Sequence, residues 1–178
     1  MLKEDIEKWV LDGGLLLHEA MKQSSTLSEE EVINLVGLLF KGVNIDAQNK
    51  HNATPLHVAV KSKNLQLVRY LVAYGADIEA QNLYKATPLH NASREGFPEI
   101  VSYLICQGSE INAQTVEGDT PLHQAVRKNK PDNVKTLILA GADTHIKNLQ
   151  KRSARKVGCE AETKKAFDDA LTALDSSH

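Results

Sequence analysis

The sequence predicts an all-α solenoid of about five helix-turn-helix units, with degenerate units capping both ends. Three observations predict it. The tetrapeptide Thr-Pro-Leu-His begins at Thr54, Thr87 and Thr120, so the two intervals between copies are equal. A glycine-led triplet follows each copy with the same period: Gly75-Ala76-Asp77, Gly108-Ser109-Glu110 and Gly141-Ala142-Asp143. Between the two, apolar residues recur at helical intervals. A fixed period of this length marks units that cannot bury their apolar faces alone and so stack on one another.

Each Thr-Pro-Leu-His starts a helix. Threonine at the N-cap offers an oxygen to an orphan backbone N–H. Proline follows where its missing N–H costs nothing, and leucine turns into the core. A second helix then runs over residues 65–74, 99–107 and 132–140. Each buries a stripe such as Leu67, Val68, Leu71 and Val72, or Ile100, Val101, Leu104 and Ile105. Glycine after it supplies a left-handed cap. Asn133 interrupts the stripe of its helix, at the position of Leu67 and Ile100. It is expected to be a soft point whose replacement by isoleucine would stabilise the protein.

The ends are weaker. Residues 1–12 read as a short helix or turn through Leu2, Ile6, Trp9 and Val10, broken by Gly13-Gly14. Leu17, His18 and Ala20 preserve a degraded motif, opening a first unit at 13–45 with six extra residues between Met21 and Leu27. Ser28-x-x-Glu31 is a capping box that restarts the helix. Full units follow at 46–78, 79–111 and 112–144, and a last unit at 145–178. In that unit Ser153 takes the threonine position and is expected to cap. Ala166, Phe167, Ala170, Leu171 and Leu174 then give one apolar face opposite a charged one, as a terminal unit requires.

The chain resembles the ankyrin-repeat family, clearly over residues 42–148 and more weakly beyond. The resemblance implies helix pairs joined by hairpin-like loops. It implies that the motif histidines His18, His57, His90 and His123 bond within and between units. It also implies partner binding on a concave face lined by the first helices and hairpin tips.

Composition excludes several other classes. With only Cys106 and Cys159 there is no disulfide framework and no zinc spacing, and both read as reduced structural thiols, Cys106 buried or half-buried. His51, His145 and His178 fall at a tip, a turn and a terminus without ligand spacing. No nucleophile elbow, phosphate loop or metalloprotease helix is present. Glu29-Glu30-Glu31 and Asp168-Asp169 read as solvated helix faces. The reading is therefore a non-enzyme, without cofactor, metal or small-molecule substrate. There is no apolar run of membrane-spanning length and no apolar signal core. A monomer in the cytoplasm is expected, with the nucleus or delivery into a host cell as alternatives.

What remains is surface. Lys61, Arg94 and Arg127 end successive first helices, one period apart, with Lys22 in the same register and Glu160 closing the series. Long basic side chains also line apolar surface simply by snorkelling. The tips carry Lys50 and His51, Leu83 and Tyr84, and Val116, so three apolar groups stand where polar ones are expected. Lys85 and Lys151 replace the tip glycine, a left-handed position that lysine adopts reluctantly, so those tips are expected to be open or distorted. Charge is polarised. Residues 1–46 hold four cations against nine acids, and residues 120–156 hold nine against two. Arg152 lies in this basic part.

These features point to a protein partner, an acidic or extended segment, bound by an inhibitor, adaptor or scaffold. The alternatives are a host-directed effector of an intracellular bacterium and a regulatory module of a larger enzyme. Nucleic acid binding at the basic end is disfavoured, because no stacking aromatics accompany it.

Overall fold

A computed structural model describes residues 44–158 and 160–176. The expected N-terminal helix, the first unit up to residue 43 with its insertion, and Cys159 lie outside these. The chain divides into two compact units, one ending at Leu83 and the other running from Tyr84. The first contains helices α1 (Pro55–Lys61) and α2 (Leu65–Ala73). The second contains α3 (Pro88–Glu95), α4 (Pro98–Cys106), α5 (Pro121–Arg127), α6 (Pro131–Leu139), a 3-10 turn (Ala154–Lys156) and α7 (Ala161–Asp175). Among the described residues every such element is helical, apart from an isolated bridge between Lys147 and Ser153.

The first helices start as the motif predicts, with one addition. Thr54, Thr87 and Thr120 stand in extended conformation just before the proline. The histidine three residues on turns its ring back to the cap. Nδ1 of His57, His90 and His123 accepts the threonine N–H at 3.2 Å in each case. The same nitrogen lies 2.8–2.9 Å from the threonine hydroxyl. This is a capping box in which histidine replaces the usual glutamate. Because Nδ1 accepts, the ring hydrogen sits on Nε2, where it can be donated elsewhere.

The second helices end as expected. Gly75, Gly108 and Gly141 take φ of 89°, 93° and 92°. The next residue's N–H returns to a carbonyl five positions back, from Ala76 to Leu71, Ser109 to Leu104 and Ala142 to Leu137, which satisfies the helix end.

The cores are aliphatic. In the first unit Leu56, Ala59, Val60, Leu67, Val68 and Leu71 are buried. In the second, α3 packs on α5, α4 on α6, and α6 on α7. Leu89, Ile100, Leu104, Leu122, Val126, Leu137 and Ile138 fill the space between them. Helix α7 closes that core with Phe167 and Ala170, while Glu162, Lys164, Lys165 and Asp169 face water.

Four local expectations are corrected. The second helices α4 and α6 start at Pro98 and Pro131, one residue earlier than predicted, because proline is favoured at the first helical position. Ser153 makes no side-chain cap, and the helix after it shrinks to one 3-10 turn that ends before Gly158 at φ 94°. Cys106 is exposed, since it lies on the last turn of α4. Asn133 is fully buried but not idle. Its Nδ2 donates to the carbonyls of Ala92 and Ser93 at 3.0 and 2.9 Å, closing the end of α3 from the next helix pair. Isoleucine there would remove both donated bonds inside the core.

Two stability results follow from these contacts. Thr87→Ala should cost about 1 kcal/mol in a denaturant melt, and Ser153→Ala far less, since only Thr87 is part of a capping box. Asn133→Ile should destabilise by about 1–2 kcal/mol through the abandoned carbonyls, with its Oδ1, unpartnered among the described residues, keeping the loss at that level. A gain in stability for Asn133→Ile would show the two bonds to be dispensable.

Candidate partner-binding surface

The tips are built by one repeated device. Asn49, Thr115 and Asn148 occupy the same register of the repeat, Thr115 two periods after Asn49 and Asn148 one period later. Asn148 Oδ1 accepts the N–H of Gln150 and of Arg152 at 3.0 and 3.1 Å. Asn49 Oδ1 does the same for His51 and Ala53, and Thr115 Oγ1, with longer bonds, for Glu117 and Asp119. Backbone bonds close each loop, as from Lys151 to Asn148 at 2.8 Å. The side chain thereby over-determines the turn. Asn52, Lys85 and Lys151 all take the left-handed conformation, at φ of 54°, 53° and 58°, beside Gly118 at 74°. At Lys151 the expected opening is absent, because the Asn148 lock offsets the roughly 1 kcal/mol that a left-handed lysine costs.

Tips also join tips. In the first unit Leu83 N–H donates to the His51 carbonyl at 3.1 Å. In the second, Val116 donates to Tyr84 and Leu149 to Glu117, both at 2.9 Å. A β-carbon on Gly118 would stand 3.0 Å from the Leu149 nitrogen, so glycine is needed for that close approach.

This arrangement displays apolar groups. Leu83 is 52% exposed, Tyr84 66%, Val116 46% and Leu149 77%. Leu149 escaped the sequence reading, although it lies one period beyond Val116 and two beyond Leu83. Extending the tip register by one more period would have found it. Lys50 and His51 are exposed on the first unit's tip, and Arg152 beside Leu149. The Arg152 backbone is engaged, its carbonyl accepting His123 Nε2 at 3.0 Å.

The three cations of the first-helix register differ from one another. Lys61 is exposed at the end of α1. Arg94 is half-buried and donates Nε and Nη2 to Glu95 Oε1, at 3.1 and 2.9 Å. Arg127 is tied most tightly: its Nη2 pairs with Asp119 Oδ2 and its Nη1 lies 3.5 Å from Glu117. The Asp119 side chain is 0% exposed. It also accepts Gln124 Nε2 at 3.1 Å and Asn148 Nδ2 at 2.8 Å. Nothing in the neighbouring sequence signals that three donors converge on Asp119.

Among the described residues no three His, Cys, Asp or Glu side chains are grouped to hold a metal ion, and no helix is long and apolar enough to cross a membrane. The Asp119 network generates a stability contrast along the register. Asp119→Ala should cost about 3 kcal/mol, because it leaves Arg127 and two amide donors without their acceptor. Lys61→Ala should stay within about 0.5 kcal/mol of wild type. Equal losses in urea melts would contradict this division.

The comparisons with known proteins agree with the architecture. Among curated proteins none matches the chain. A family model described as ankyrin repeats (3 copies) matches residues 17–115 and 85–148. Proteins of this kind are generally protein-protein interaction modules and typically non-catalytic. The period, the capped helix pairs and the matched span together place the chain in the ankyrin-repeat family.

Proposed function

We propose that the protein binds a partner protein through its hairpin tips and first-helix face, without catalysis, as an inhibitor, adaptor or scaffold. The observation that carries this reading is the tip row of the second unit. Tyr84, Val116 and Leu149 stand exposed on consecutive tips that backbone hydrogen bonds hold in fixed order. Apolar groups on rigid, solvated loops have a hydration cost that a partner relieves. Packing of helix on helix at ordinary interaxial distances sets successive tips roughly 10 Å apart, a distance suited to an extended segment of several residues.

Basic groups flank the row. Lys85, Lys147, Lys151 and Arg152 are exposed, which favours an acidic segment and speeds its encounter. In the first unit Leu83, Lys50, His51 and Lys61 offer the same chemistry. Arg94 and Arg127 contribute less free charge than their register suggests, since each already holds a carboxylate.

Tyrosine is the preferred anchor of such surfaces. Tyr84→Ala should weaken the partner by about 2 kcal/mol or more, chiefly through faster dissociation. Arg152→Glu should instead slow association and reduce its salt dependence. The check is quantitative affinity capture from lysate with wild type and a Tyr84→Ala/Val116→Ser/Leu149→Ser variant, followed by binding kinetics on the protein recovered. The triple variant should melt as wild type does. Undiminished capture by it would move the binding surface away from the tips.

A further inference from the structure

The turn between α5 and α6 departs from local helix chemistry. Its residues are Lys128, Asn129 and Lys130, and Lys130 occupies the N-cap of the nine-residue helix α6 without any side-chain bond to it. Lysine has no acceptor to offer the orphan N–H groups; its stem instead crosses Gly96 and carries the ammonium to the C-terminal end of α3, where a cation is favoured. Asn64 holds the same position two periods earlier and caps α2 normally, accepting the Leu67 N–H at 2.9 Å. Phe97, one period earlier, also opens its helix without a side-chain cap, so what distinguishes Lys130 at this register is its charge.

The turn is also held in place. Lys130 lies across Gly96, so that a β-carbon there would come within 2.8 Å of Lys130 Cδ. Asn129, left-handed at φ 52°, accepts the Glu160 N–H at 2.7 Å and donates to Glu160 Oε1 at 3.2 Å. Arg94, Glu95, Lys128 and Lys130 together line a recess of about 390 Å³. Three cations there face one acid. Both Arg94 nitrogens bonded to Glu95 meet a single oxygen of it, so the fork retains N–H groups for a second acceptor.

We propose that this recess binds a carboxylate side chain of an acidic peptide segment, held by Arg94, Lys128 and Lys130. The charge balance selects the class. With Glu95 counted, the lining keeps a surplus of two positive charges, which neutralises one carboxylate and leaves charge for the next along an acidic segment. The natural source of the segment rests on the protein-binding reading above, but the recess can be tested without any partner.

The probe is end-blocked hexaglutamate, titrated into the full chain at low salt and followed through backbone amide chemical shifts. Saturable shifts concentrated at Gly96, Lys128 and Asn129 and fading with added salt are expected. End-blocked hexalysine should produce none. Lys130→Asn should weaken hexaglutamate about fivefold, in line with one partly exposed ion pair, and should raise the melting temperature by supplying the missing cap. Lys128→Gln combined with Lys130→Asn should weaken it further.

The proposal is overturned if Lys130→Asn binds hexaglutamate as tightly as wild type, or if the shifts spread evenly over Lys147, Lys151 and Arg152. It is also overturned if an end-blocked phosphoserine peptide of equal charge binds more tightly through the same amides. The Tyr84/Val116/Leu149 triple variant should titrate with hexaglutamate as wild type does, so failure of the tips and failure of the recess are separate results.

Discussion

The imidazole bridge at the start of each first helix is the contact on which the second unit depends. His90 and His123 each accept the cap N–H on Nδ1, which fixes the hydrogen on Nε2. That hydrogen goes to a carbonyl of the following tip, Asp119 for His90 at 3.1 Å and Arg152 for His123 at 3.0 Å. One ring therefore starts a helix properly and also seats the next tip. The bridge is buried, where an unmade bond would be expensive, so helix position and tip position are fixed together.

Other polar contacts extend this logic through the core. Asn133 reaches from α6 to the carbonyls at the end of α3, and Asn112 Oδ1 accepts the Asp143 N–H at 2.9 Å. In the first unit Asp46 Oδ1 accepts the Asp77 N–H in the matching register. A stack of short helices presents many helix ends, each with unsatisfied backbone groups. The neighbouring unit supplies much of the satisfaction, which is one reason a single unit is not stable alone.

The same rigidity leaves the surface free to depart from what a helix or loop would prefer. Exposed Leu149, left-handed Lys151 and the uncapped start of α6 at Lys130 each oppose a local preference. Side-chain locks at the tips and the imidazole bridges support the neighbouring backbone, so these departures are tolerated. Charge is redistributed by the same packing. Arg127 shares its register with exposed Lys61, yet it is bound to a fully buried carboxylate and serves the fold.

The sequence by itself determined the period, the helix starts, the glycine ends and the family, because Thr-Pro, Gly and apolar spacing act through local backbone chemistry. It also determined that Leu83, Tyr84 and Val116 would stand on tips, since register alone places them. Tertiary structure decided what register cannot carry. Asn133 reads as a flaw in a stripe until the carbonyls of α3 come within 3.0 Å of it. Arg127 reads as a free cation until Asp119, eight residues earlier, turns inward to meet it. Lys128 and Lys130 carry no signal of their own in the sequence; packing of Lys130 across Gly96 and the bond of Asn129 to Glu160 set their turn beside Arg94. In each case the deciding partner comes from another element, and period and local propensity do not encode the distance between two side chains that packing brings together.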